Sequence, residues 1–105
     1  MYIRKEMDVH FLFQGQLFVW DQVKACSNLA KHGVTFEAAS QVFFDPFVRI
    51  YEASIDEERR DAAIGLIEDW SLLFVVHTWR EEEAIRIVSA RAATAQERRW
   101  YEDSN

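Results

Sequence analysis

The single proline, Pro46, divides the chain into two hydrophobic periods, and that division limits what it can fold into. Ahead of it Ala25, Cys26, Leu29 and Ala30 recur at helical spacing, and Phe36, Ala39 and Phe43 do so again. Beyond it, the stretches 47–53, 62–68, 71–80 and 84–91 follow a two-residue period and are separated by short charged connections. A chain carrying both periods must lay helices on a sheet. Local punctuation agrees. Asp21 can cap a helix over 22–32, Gly33 can end it in the left-handed conformation, and Thr35 can cap a second helix that Asp45-Pro46 stops by removing a donor. Thr94-Ala95-Gln96-Glu97 reads as a capping box for a C-terminal helix. Residues 16–20 read as a strand, and 1–15, without a clear period, as a loose extension in which Met7 is an alternative start. The expected fold is α+β: an N-terminal helical hairpin and a C-terminal helix packed on an antiparallel sheet of about four or five strands, one domain over 16–102.

Eight Phe, four Trp and three Tyr against three Gly exclude a disordered chain, because this much apolar surface can offset the entropy of ordering. Cys26 is the only cysteine, so neither an internal disulfide framework nor a thiolate zinc cluster is available, and a reducing cytoplasm is the expected compartment. No apolar run reaches the roughly 18 to 20 residues of a membrane span, so no membrane association is expected. The net charge of −6 argues against non-specific binding to phosphate backbones. One segment departs from that balance. Between Ala84 and Tyr101, Arg86, Arg91, Arg98 and Arg99 face a lone acid, Glu97. The three histidines are scattered without the spacing of a ligand pair, and no metal or other cofactor is expected.

Trp20-Asp21, Lys24, Asn28-Leu29, Lys31-His32-Gly33-Val34, Phe36-Glu37, Val42-Phe43, Asp45, Ile64-Gly65 and Leu73-Phe74-Val75-Val76-His77-Thr78 resemble, in order and spacing, the BrnT family. The resemblance continues through Arg80, Ile85-Arg86-Ile87-Val88-Ser89-Ala90-Arg91, Ala93-Thr94, Glu97-Arg98-Arg99 and Tyr101-Glu102. It implies a RelE-like fold and a ribonuclease toxin of a type II toxin–antitoxin system that cuts RNA without a metal and halts translation. It also implies a BrnA-like ribbon-helix-helix antitoxin as partner, with oligomers formed, and DNA reached, only through that antitoxin. Three positions depart from the family pattern. Gln22 stands where proline is usual, Ala92 where a lysine or arginine is usual, and Arg59-Arg60-Asp61 matches imperfectly, so either arginine can hold the family position.

Metal-free cleavage by the ribose 2′-OH needs a base, donors for the charge growing on the phosphoryl oxygens, and an acid for the leaving oxygen. Arginine suits the second role because its planar fork matches phosphate. If 81–84 forms a tight turn, Arg80 lies opposite Ile85, and alternation places Thr78, Arg80, Ser89 and Arg91 on one face, with Arg59 or Arg60 beside them. One bulge reverses that conclusion. Glu57 or Glu58 can take the 2′-OH proton or belong to a solvated turn. His32 can act as acid or base, or simply complement the end of its helix. Lys31, Arg86, Arg98 and Arg99 are candidate contacts to RNA or antitoxin, and Trp79, Trp100 and Tyr101 can stack on bases or serve core and interface. His77, among Val75, Val76 and Trp79, reads as a core histidine. The rival function is a catalytically silent module that acts only in a toxin–antitoxin repressor complex. The ribonuclease reading requires guanidinium groups that are neither splayed to opposite faces nor each tied to an internal acid.

Overall fold

In the computed structural model, which describes residues 7–53, 59–79 and 83–103, a hairpin of strands comes first. Strand β1 (Asp8–Phe13) turns at Gln14-Gly15 into β2 (Gln16–Asp21). Both turn residues have positive φ, 50° and 81°, the two-residue hairpin geometry that matches strand twist. Helix α1 (Gln22–His32) follows directly, its N-terminus capped by Asp21 and its C-terminus closed by left-handed Gly33, whose amide donates to the Leu29 carbonyl. Helix α2 (Phe36–Ser40), capped by Thr35, runs into a 3-10 turn over Gln41–Phe44. Strands β3 (Arg49–Glu52), β4 (Asp61–Leu66), β5 (Leu72–Trp79) and β6 (Ile85–Ala92) then form an antiparallel meander, and α3 (Ala95–Glu102) ends the described chain.

The sheet order is β1-β2-β6-β5-β4-β3, with β2 running parallel to β6. This corrects the expected fold. The sheet has six strands and is mixed, not four or five and antiparallel, and the helices follow a strand hairpin instead of opening the chain. The physical reason is edge coverage. Alternation along β6 shows that it is half-buried but not which strand lies beside it, and the early hairpin takes that place at Phe18↔Ile85 and Val19↔Arg86. Past the end of this short pairing, Asn28 of α1 continues the ladder. Its side chain donates to the Ala90 carbonyl at 2.8 Å and accepts from the Ala90 amide at 3.1 Å.

One sheet face carries the main core: Phe18, Trp20, Phe36, Ala39, Val42, Ala63, Leu73, Val75, Ile85, Ile87 and Ala90 are all buried. The 3-10 turn lies so close to β4 that a Cβ on Gly65 would sit 2.9 Å from the Val42 carbonyl oxygen, so only glycine fits there. The other face meets α3, whose last turn is held by a short hydrogen bond from the Tyr101 hydroxyl to Asp45. Asp45 also accepts from the amides of Phe47 and Leu66.

Candidate functional site

The β5–β6 register decides which side chains share a face. Trp79, not Arg80, lies opposite Ile85, and Thr78 lies opposite Arg86. His77 pairs with Ile87, the ladder steps over Val88, and then Val76 pairs with Ser89 and Phe74 with Arg91. Each of these two departures from a simple tight turn inverts the facing of β6, so the second undoes the first for Ser89 and Arg91. Thr78, Arg86, Ser89 and Arg91 therefore lie on one face, opposite the buried Ile85, Ile87 and His77. They form a strip instead of a single cluster. Phe74, which carries Arg91, is four residues from Thr78, about 13 Å at about 3.3 Å per residue.

At the Arg91 end the two charges are paired. The Arg91 guanidinium binds Glu97 with two bonds of 2.8 and 2.9 Å, donates to the Ala92 carbonyl, and lies 4.2 Å from the centre of the Phe74 ring. Glu97 also closes the capping box with Thr94. The Arg91 bond draws the Glu97 carboxyl below its usual range, burial opposes it, and Thr94 assists. The same bond raises Arg91 further, so both stay charged. Next along the strip, Arg86 grips Asp8 of β1 at 2.6 and 3.3 Å. Both strip arginines thus have an internal acid, the condition named above as adverse to catalysis, and the sequence did not reveal it for Asp8, which is 78 residues away.

At the other end polar atoms lack partners. The Thr78 hydroxyl, Arg86 Nε and His77 Nε2 are buried without a hydrogen bond among the described residues. His77 is a core residue, edge-on to Phe43 with ring centres 4.7 Å apart. Burial pushes its pKa below the ordinary histidine value, against the Val75 carbonyl and Asp61. Arg59, Asp61, Thr78 and Trp79 line a cleft of about 320 Å³ at this end. Arg59 reaches Asp61 and Glu52 only at 3.7 and 3.9 Å.

The remaining candidates are dispersed. Lys31 and His32 are exposed on the last turn of α1, and Arg60 begins the approach to β4. Arg98 pairs with Glu102 at 3.6 Å and Arg99 bonds Gln96, both on α3. Tyr101 is committed as a latch. Burial and the bond to Asp45 raise its pKa to about 12, while burial raises Asp45 but the bonds from Tyr101, Leu66 and Phe47 outweigh it and leave that carboxyl lowered. Trp100 packs against Tyr51 at 5.8 Å above a groove of about 620 Å³ that reaches Phe74. Glu57, Glu58 and Arg80 lie outside the described residues. Among the described residues no group of three or more His, Cys, Asp or Glu side chains could hold a metal ion, and no helix is long and apolar enough to cross a membrane.

A family model described as the ribonuclease toxin BrnT of type II toxin–antitoxin systems matches residues 20–97, which include the whole strip and its partner Glu97. The chain belongs to the BrnT family. A solved structure agrees: the Brucella abortus ribonuclease toxin BrnT, at 1.1 Å resolution, superposes with a TM-score of 0.60 and 25% identity, covering 73% of this chain and 95% of that one. No curated protein sequence gives a significant match. For this BrnT-family chain the match ends within the first turn of α3, so the Tyr101 latch and the β1 hairpin partner Asp8 lie beyond the matched residues.

Proposed function

We propose that this chain is a cytoplasmic toxin that cleaves RNA without a metal ion, halts translation, and is neutralised by a BrnA-like ribbon-helix-helix antitoxin that supplies oligomer contacts and DNA binding. The observation that carries this reading is the family match across 20–97, a range that includes every strip residue. The geometry supports a role for Arg91. A guanidinium has five N–H donors; two go to Glu97 and one to Ala92, and the others have no partner among the described residues. Held between Glu97 and Phe74, those donors are preorganised for phosphoryl oxygens and need no rearrangement when charge develops there. Ser89 follows on the same face, and Thr78 and Arg59 or Arg60 extend the track toward the cleft. The groove beside Trp100 and Phe74 offers a stacking surface next to Arg91. His32 ends the helix that Asn28 ties to Ala90, the residue before Arg91, and is the described candidate for proton transfer.

Purified protein with RNA in excess chelator tests this. Cleavage should proceed, leave cyclic phosphate ends, fail on RNA lacking the 2′-OH, and fall about 100-fold in Arg91→Ala with the fold retained. Loss of cleavage in chelator, restored by a divalent cation, would overturn the metal-free route. A second reading rests on a specific observation: Arg86 and Arg91 are already neutralised by Asp8 and Glu97. The chain would then act only as a binding module in a repressor complex, and intact RNA under every condition, with antitoxin bound, favours it.

A further inference from the structure

The cleft beside Trp79, at the end of β5, holds an unusual carboxylate, Asp61, which pairs with His77 and so shares its face of the sheet, opposite the strip. The Asp61 side chain is 13% exposed, yet no donor among the described residues hydrogen-bonds it, the Arg59 guanidinium standing at 3.7 Å. His77, opposite it in the ladder, is no substitute, since its Nε2 makes no bond. A largely buried carboxylate with no hydrogen-bond donor among the described residues is costly unless a ligand supplies one. Beside it stands Trp79, 56% exposed although it is a large apolar ring at the end of a central strand, and Arg59, whose side chain is 74% exposed. The volume of about 320 Å³ lies at the small end of ligand pockets and suits one nucleoside.

We infer that this cleft is a guanine-reading subsite, in which Asp61 accepts from the base, Trp79 stacks on it, and Arg59 meets the adjoining phosphate. The choice of base follows from donor geometry. An ionised carboxylate only accepts, with two oxygens side by side. Guanine alone presents two adjacent donors on its Watson–Crick edge, N1–H and the N2 amino group. Adenine and cytosine each set one amino donor beside an acceptor, and uracil places one N–H between two carbonyls. Stacking on Trp79 favours any base, so it supplies affinity and Asp61 supplies the preference. Thr78 also lines the cleft. Placing this subsite on the substrate track rests on the ribonuclease reading above, but its binding chemistry can be tested alone.

The test is titration of the full chain with 5′-GMP, AMP, CMP and UMP, followed by tryptophan fluorescence and indole NMR signals. GMP should bind at least about tenfold more tightly than the other three, Asp61→Asn should reduce that preference below about twofold, and Trp79→Ala should weaken all four by about tenfold. Circular dichroism and thermal melting confirm that the variants are folded. Equal binding of the four nucleotides, or a guanine preference that survives Asp61→Asn, overturns the inference. RNA cleaved with no preference around guanine overturns it while leaving the nuclease reading intact. GMP bound selectively by a protein that leaves RNA uncut upholds the subsite and removes the nuclease reading instead.

Discussion

The two ends of the half-buried strip are built on opposite principles. Around Arg91 the charges are paired: Glu97 binds the guanidinium and closes the α3 capping box, while the Phe74 ring supports the cation. Around Thr78 the hydroxyl, Arg86 Nε and His77 Nε2 go unbonded among the described residues, and Asp61 meets the Arg59 guanidinium at 3.7 Å. A fully satisfied network stabilises and orients, whereas a buried polar group left open destabilises the chain until something fills it. One end is therefore framework that also presents a preset cation. The other is where a ligand has most to add.

Breaking the satisfied end should have the largest effect. Glu97→Ala removes the reciprocal cap and leaves Arg91 without its acid, and should lower unfolding free energy by about 2 to 3 kcal/mol in urea, the exposed side of the pair being screened by solvent. A loss under about 0.5 kcal/mol would mean that the Arg91 end is not framework. Tyr101→Phe should cost about 1 kcal/mol by removing the latch to Asp45. Because the Tyr101 pKa is raised from 10.0 to about 12, the latch contributes fully below 10 and is lost as pH climbs toward 12. The wild-type stability curve should show that alkaline limb and the variant should not. On the acid side, the lowered pKa of buried His77 makes the unfolded chain take up its proton first, so stability falls as pH drops below 6.5. His77→Leu should flatten that limb.

The smallest stability effect sharpens the comparison most. Thr78→Val exchanges an unpartnered buried hydroxyl for a methyl of the same shape, and should leave stability unchanged or raise it by up to about 1 kcal/mol in thermal and urea unfolding. Destabilisation beyond about 1 kcal/mol would show that the hydroxyl has a structural partner, and the contrast between the two ends would dissolve. RNA affinity, measured on the same variant, should fall.

Local chemistry made much of the secondary structure legible. The Asp21 cap, the Gly33 stop and the Thr94 box act through neighbours a few residues away, and α1 spans Gln22–His32 as its spacing implies. Strand β1 leaves a weak mark in the sequence although Val9, Phe11 and Phe13 alternate toward the core, because Leu12 breaks the polar phase and Gln14-Gly15 is a weaker hairpin signal than Asn-Gly. The register that places Thr78, Ser89 and Arg91 on one face forms from Val76↔Ser89 to Leu73↔Ala92 and is shifted by one residue nearer the turn. A one-residue shift and the step over Val88 cancel, and neither leaves a mark in the pattern of apolar residues.

The amino-acid order by itself determined the helices, the meander strands, the family and the residue types gathered on β5 and β6, since these depend on spacing and on chemistry carried within each short segment. Only the folded chain decided the parallel seating of β2 on β6, the acids that claim Arg86 and Arg91, and the buried atoms of Thr78, Arg86 and His77 left without partners among the described residues. Those outcomes join residues far apart in sequence. Which partner a strand edge or a guanidinium takes is a competition among all groups that packing brings near, and no local pattern records its winner.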